Sequence, residues 1–262
     1  MNFSAHSRTR LQPSAGASKG FSGNAEQESA GFPPARGRAD HAITVNSVSL
    51  IADPAGALYW SEQGLLAVAD LHLEKGSSFA ARGQLLPPYD TATTLARLAR
   101  LIARYAPRCV AALGDSFHDD GGPARLTDGD RESLGALQRG REWIWITGNH
   151  DPEPADDIGG TFHATLGIGA LTLRHLPTGA EGEIAGHLHP VARVAHRGRA
   201  VGRRCFAADK ARMVMPAFGA FTGGLNVRDA AFADLFGTLA FTAHMLGEDR
   251  LYAFAAKRCL PD

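Results

Sequence analysis

Several short stretches of the 262-residue chain carry side chains that could bind cations or move protons. They are Asp70-Leu-His72, Gly114-Asp115, Gly148-Asn149-His150-Asp151, a lone His175 and Gly186-His187-Leu188-His189. Carboxylates, imidazoles and one amide offer oxygen and nitrogen lone pairs without any thiolate, a set that suits Mn, Fe, Zn or Ni. Two divalent ions about 3.5–4 Å apart would need a carboxylate bridging them. Along a strand, residues i and i+2 face one side, so Asp70 and His72 are expected to point at one ion, and His187 and His189 likewise. Each stretch taken alone has a plainer reading. Asp-x-His arises by chance, Gly-Asp after a strand also makes a simple turn, and Asn-rich turns have structural uses. Gly-His-Leu-His also fits an exposed turn, and a lone histidine is commonly a hydrogen-bonded structural residue.

Those residues need elements to hold them. Residues 45–51 alternate loosely and predict a strand, Ala57–Trp60 predicts a second, and Ser61–Gly64 a turn. Leu65–Ala69, Val110–Leu113 and Trp143–Thr147 are continuous apolar runs, the pattern of strands buried on both faces. Thr91–Tyr105 has apolar residues at helix spacing with Asp90 as the expected N-cap, and Asp128–Arg139 reads as another helix. Strand, helix, strand, helix, strand indicates a parallel α/β core. Shorter strands are expected across 161–175, 183–189, 193–201, 205–207 and 213–214, forming a second sheet packed on the first. Residues 229–258 mix helix and strand spacing and are expected to complete the core. The candidate ligands fall at the carboxyl ends of the predicted core strands, where open α/β sheets place their sites.

Composition sets bounds. Residues 1–40 are rich in Gly, Ser, Ala, Pro and Arg and predict a disordered tail, with residues 41–262 as the folded domain. Lys plus Arg equals Asp plus Glu at 27 each, so bulk charge argues neither for nor against nucleic acid. Cys109, Cys205 and Cys259 are widely spaced and odd in number, which argues against a disulfide framework and for reduced thiols in a cytoplasmic protein. No apolar run reaches the ~18 residues of a membrane span. The first residues lack the apolar middle of a secretory signal.

The ordered set Asp-x-His, Gly-Asp, Gly-Asn-His-Asp, His, Gly-His-x-His over residues 65–190 resembles the calcineurin-like metallophosphoesterase superfamily. The resemblance implies an α/β fold, a four-layer sandwich of two mixed β-sheets flanked by helices. It implies two divalent ions; Mn is the ion expected first, with Fe, Zn or Ni as alternatives, because oxygen and nitrogen sites of this kind accept several ions. Asp70, His72 and His189 would hold one ion, Asp115 would bridge, and Asn149, His175 and His187 would hold the other. His150 would contact the phosphoryl group as general acid or transition-state stabiliser, and Asp151 would orient it. The implied reaction is hydrolysis by a two-metal-activated water, with no covalent phosphoenzyme.

The protein-phosphatase branch carries Asp-Arg-Gly after the second block, whereas this chain has Gly114-Asp115-Ser-Phe-His118-Asp-Asp-Gly. Residues 70–83 and Met215–Asn226 resemble instead the bacterial ligase-associated DNA-damage-response endonucleases. That resemblance implies DNA as substrate and a ligase, an exonuclease and a helicase as partners, with no membrane. Lys75, Arg82 and His118 are candidate substrate contacts, with Gly76, Ser77 and Ser78 small enough to let backbone amides approach a phosphate. Phe218 and Phe221 read either as core or as base-stacking rings. Arg197, Arg199, Arg203 and Arg204 read either as a phosphate track or as a solvated hairpin face. Two other functions compete: a small-molecule (cyclic) nucleotide phosphodiesterase or phosphatase, and a catalytically silent scaffold.

Overall fold

The computed structural model describes residues 41–153, 155 and 157–262. The expected tail of residues 1–40 lies outside the described residues.

The first sheet has seven strands in sequence order: β1 (Ala42–Val45), β2 (Val48–Ala52), β3 (Leu58–Trp60), β4 (Leu65–Val68), β5 (Cys109–Leu113), β6 (Glu142–Ile146) and β7 (Thr161–His163). β1 to β4 pair antiparallel, and β4 to β7 pair parallel. The single strand expected over 45–51 is in fact a hairpin. Asn46 and Ser47 take φ of 47° and 66°, the left-handed pair that lets a two-residue turn follow strand twist.

The parallel strands are connected on one face by α1 (Lys75–Ala81), α2 (Asp90–Tyr105), α3 (Gly122–Arg125) and α4 (Asp128–Gln138). Asp90 is not the cap of α2 but its first residue; Tyr89 precedes it without a side-chain cap. The Asp90 carboxylate instead accepts from the Gly76 amide at 3.0 Å, which joins α2 to α1. At α4 the expected start is correct, and the Thr127 hydroxyl caps it by accepting from the Asp130 amide at 3.1 Å.

The second sheet has nine strands: β8 (Thr165–Ile168), β9 (Leu171–Arg174), β10 (Glu183–Ala185), β11 (Pro190–His196), β12 (Arg199–Ala208), β13 (Arg212–Val214), β14 (Leu225–Asn226), β15 (Thr242–Leu246) and β16 (Leu251–Ala255). β10 pairs parallel with β9 and β13, while β11 and β12 form a long antiparallel hairpin. α5 (Ala230–Phe236) packs outside it. Residues 229–258 thus supply α5 and the β15–β16 hairpin, as the mixed spacing suggested.

The layering follows from strand alternation. Ala67, Ala111, Leu113, Ile144 and Ile146 face Leu171, Leu173, Ile184, Phe206 and Met213 of the second sheet. Their neighbours Leu66, Val68, Val110, Ala112, Trp143 and Trp145 face Leu95, Leu98, Leu101 and Ile102 of α2 and Leu134 of α4. Ala192, Cys205, Ala207 and Val214 turn outward to Phe232 and Phe236 of α5. The central strands β4, β5 and β6 are thereby covered on both faces, which explains their unbroken apolar runs. The expected four layers are found. All three cysteines are buried and free, and no described helix is long and apolar enough to cross a membrane.

Leu98 is fully buried between α2 and the first sheet. Chemical denaturation of Leu98→Ala should show a loss of about 2–5 kcal/mol. A loss under about 1 kcal/mol would mean that this helix layer is not packed as described.

Candidate metal centre

The inner strands of both sheets end at one place. The Asp70 amide donates to Gly114 O at 3.2 Å and the His72 amide to Asp115 O at 2.9 Å, so the segments after β4 and β5 run side by side. From the other sheet, the Gly186 amide donates to His175 O at 3.1 Å, and the His187 amide reaches the Asp70 carboxylate at 3.1 Å.

The expected alignment of the ligand pairs by strand alternation does not hold, because β4 stops at Val68 and β10 at Ala185, and His187 and His189, expected at one ion, fall in different clusters. Asp70, His72, Asp115, His187 and His189 have φ of 54°, 41°, 45°, 70° and 47°. This left-handed region costs an L residue about 1–2 kcal/mol, and such outliers gather where a site must be over-determined. It turns successive side chains inward that a continuing strand would have spread.

Two clusters result. In one, His189 Nε2 lies 3.2 Å from Asp70 Oδ1 and 3.3 Å from His72 Nε2. In the other, His175 Nε2 lies 3.3 Å from Asp115 Oδ1, 3.2 Å from His187 Nδ1 and 3.0 Å from Asn149 Oδ1. Asp115 stands between them: Oδ1 faces His175, and Oδ2 is 3.8 Å from His72 Nε2.

The chemistry of these contacts identifies what they suit. His175 Nδ1 lies 3.0 Å from the Leu113 carbonyl, which can only accept, so Nδ1 carries the proton. In the neutral ring Nε2 then presents a lone pair to the Asp115 and Asn149 oxygens, which are also acceptors. Lone pairs facing one another at this range repel unless a cation lies among them. Donor atoms bound at about 2.0–2.1 Å to one tetrahedral ion stand about 3.3 Å apart, which is the spacing seen. Burial, then the neighbouring His189, His150, His118 and Lys75, push His72 down to about 2, so its ring is neutral and free to ligate. His187 is lowered too, first by burial and then by His175. The residues present fit two divalent cations.

His150 borders the clusters with Nε2 at 3.9 Å from Asp115 Oδ2 and a half-exposed ring. Its Nδ1 donates to His118 O at 3.0 Å. The expected orientation of His150 by Asp151 is therefore corrected. Asp151 is taken up by backbone amides, accepting from Ser116 at 2.7 Å, Phe117 at 3.1 Å and Gly148 at 3.0 Å. Burial pushes the Asp151 carboxyl up to about 6 against those donors. Its place is to fix the loops that carry Asp115 and Asn149, not to touch the His150 ring.

The His118 ring stacks on His150 with centroids 5.6 Å apart and meets His72 edge-on at 5.7 Å. Lys75 opens α1 beside them, and burial lowers its ammonium below the usual range. Arg82 lies within electrostatic reach of His118 rather than among the ligands. It ends α1, donating to Ser78 Oγ at 2.6 Å and lying over the Phe79 ring. The amides of Gly76 and Ser78 are spent on Asp90 and on Glu74 O, so the expected phosphate contact through them does not hold. Gly76 is small because a Cβ there would lie 2.7 Å from Asp90 Oδ1. Arg204 turns inward to the carbonyls of Ala217, Gly219 and Thr222, leaving Arg197, Arg199 and Arg203 on the exposed hairpin. Phe218 is core under the Arg97 guanidinium, whereas Phe221 is exposed.

Glycines adjacent to ligands were the signal not read from the sequence. A Cβ on Gly114 would sit 2.4 Å from the His175 ring, and one on Gly148 would sit 2.2 Å from Asp115 N and Oδ1. Each ligand-bearing strand end is packed against a ligand from another strand, and only glycine leaves the room.

No family model matches the chain. No curated protein matches it in sequence. Among solved structures, the chain is similar to the nuclease MPE of Pseudomonas putida, with 27% identity, a TM-score of 0.63, and coverage of 80% of this chain and 98% of that one. A phosphoesterase from E. coli, Yfce, matches at 15% identity with a TM-score of 0.36, covering 73% of this chain and 98% of that one, a likeness too slight to argue from.

Gly148→Ala should displace Asp115 while leaving the sheets intact. Titration calorimetry with Mn should show affinity lowered at least about tenfold, with an unchanged far-ultraviolet dichroism spectrum. Wild-type affinity would show that the loop can give way, and that its crowding is not what sets the carboxylate.

Proposed function

We propose that this chain is a metal-dependent phosphodiesterase that hydrolyses phosphodiester bonds in DNA. We assign it the role of an endonuclease working in the cytoplasm beside a ligase, an exonuclease and a helicase in DNA repair. The observation that carries the reading is Asp115, which presents one oxygen to each of two lone-pair clusters with His150 beside it. The likeness to a nuclease supports a nucleic-acid phosphodiester as the bond attacked.

Asp70, His72 and His189 would hold one ion, and Asn149, His175 and His187 the other, with Asp115 shared; Mn is the ion we favour. Bound there, two divalent cations supply Lewis acidity that acidifies water and offsets charge on phosphoryl oxygens. The chain's own residues set the rest. The Leu113 carbonyl fixes the His175 tautomer, so Nε2 presents its lone pair inward. The His118 carbonyl accepts from His150 Nδ1, so Nε2 would face the phosphoryl group and would carry a proton only in the imidazolium form. A proton on that nitrogen can be shared with a non-bridging oxygen or passed to the leaving alkoxide, worth ~10²–10⁴ in rate. His118, stacked on His150, and Lys75 line the same side and are our candidates for contact with the substrate anion.

The test is hydrolysis of a phosphodiester chromogen and of single- and double-stranded DNA by metal-stripped protein reloaded with Mn. Asp115→Asn should abolish turnover and lower the metal content. His150→Ala should keep both ions and lower kcat by ~10²–10⁴. Loss of the ions from His150→Ala would overturn the division between ligand and proton donor. A wild-type protein silent on every phosphodiester would overturn the function.

A further inference from the structure

An open groove of about 480 Å³ begins at His187 and is bounded by Leu176, Pro177 and Leu188 on one side and by Ala231 and Leu235 of α5 on the other. Its volume lies within the ~300–1,000 Å³ of small-ligand pockets. Leu176 is 50% exposed, among the few large apolar side chains left open in the described residues. An exposed apolar wall that abuts a candidate metal ligand is suited to whatever is esterified to the reacting phosphate.

The lining narrows the chemistry of the occupant. Among the described residues no Lys or Arg lines the groove, so it does not suit a second phosphate. Its polar groups are the His187 ring, Thr178 and the Asp234 carboxylate. Asp234 lies on the exposed side of α5 and makes no hydrogen bond or ion pair among the described residues. Two flat apolar faces and an edge bearing N–H groups would satisfy leucines and a carboxylate together. An aliphatic chain would leave Asp234 unmatched, and a bare sugar would leave the leucines wet.

We propose that this groove takes the nucleobase next to the scissile phosphodiester, with Asp234 accepting from an exocyclic amino group on the base edge. The inference rests on the phosphodiesterase reading and deepens it: the substrate is a nucleoside ester, bound through its base as well as its phosphate.

Two substrates with the same leaving group separate the groove from the metal clusters: adenosine p-nitrophenyl phosphodiester, and methyl p-nitrophenyl phosphate, which has no base. Wild-type protein loaded with Mn should favour the nucleoside ester in kcat/KM by about tenfold, the size expected from burying roughly 50–60 Å² of a base's apolar face against aliphatic side chains. Ala231→Leu, which fills the groove from α5, should return that ratio toward one, chiefly through KM. Asp234→Asn should weaken the preference for adenosine over the thymidine ester, which lacks the amino group. A wild-type ratio near one, or a ratio that neither variant moves, would overturn the proposal. Thermal unfolding checks that both variants are folded, and Asp234→Lys is a second probe on the exposed side of α5. Binding of adenosine monophosphate against ribose 5-phosphate, by calorimetry with Mn present, reads the groove without turnover. If no ester is cleaved, the phosphodiesterase reading fails while tighter binding of adenosine monophosphate, lost in Ala231→Leu, keeps the groove. Equal binding of the two phosphates sinks the groove whatever the turnover.

Discussion

The structure is organised around a repulsion. Ring nitrogens and acceptor oxygens from different strands are held 3.0–3.3 Å apart, so that in the neutral His175 ring a lone pair faces the Asn149 and Asp115 oxygens. Left in water, such side chains would turn outward. They stay because each is anchored from behind: His175 by the Leu113 carbonyl, Asp70 by the His187 amide, and Asp115 by the His150 amide. Cations placed among them would turn mutual repulsion into a binding energy. The two-sheet sandwich provides the fixed points, since its strand ends cannot move without disturbing a core shared by both sheets.

That arrangement imposes local costs. Five candidate ligands adopt a left-handed backbone, and glycines stand where another strand's ligand crowds the chain. The strain is stabilised by contacts outside the clusters. Asp151 accepts from three amides and binds the loop after β5 to the loop after β6. Arg204 gathers three carbonyls of the Met215–Asn226 stretch, whose Phe218 and Gly219 amides in turn donate to Ala69 and Asp70. At its other end, the Leu225 amide donates to His189 O at 3.1 Å. A glycine-rich loop that looks from its composition like a substrate contact is also a strap joining two ligands of one cluster. Gly219 is needed there because a Cβ would lie 2.2 Å from Leu71 O.

Charge is handled by the same economy. Arginines that a sequence reading groups into one basic track divide by direction: Arg204 is spent inside the fold, and Arg197, Arg199 and Arg203 remain outside. Lys75 and, beside His118, Arg82 bring positive charge near the clusters, while the lowered proton affinity of His72 and His118 favours their neutral rings. On the proposed function, an anionic ester would be met by the clusters and by His150, and the apolar groove that begins at His187 would take the uncharged part of the ligand.

Much of this was legible in the chain itself. Unbroken apolar runs mark doubly buried strands because both faces of a strand are read in one line, and donor-type residues after each run mark where a site gathers. The layers and the helices α2 and α4 follow from such local signals, whereas the division of the ligands between two clusters was implied by the resemblance of the ordered motifs to a known superfamily, since spacing alone would put His187 and His189 at one ion. What the tertiary structure alone decided lies in direction and distance. Asn46-Ser47 turns a predicted strand into a hairpin because a left-handed pair is available there. Asp90 abandons a cap for the Gly76 amide, and Asp151 abandons His150 for three amides, because a buried carboxylate is claimed by whichever donors the packing brings nearest. Arg82 carries the charge expected of a substrate contact but is turned back onto its own helix. Residue type and order are properties of a single chain, so they determine which chemistry is available. Which donor meets which acceptor depends on segments far apart in sequence, and only their packing determines that.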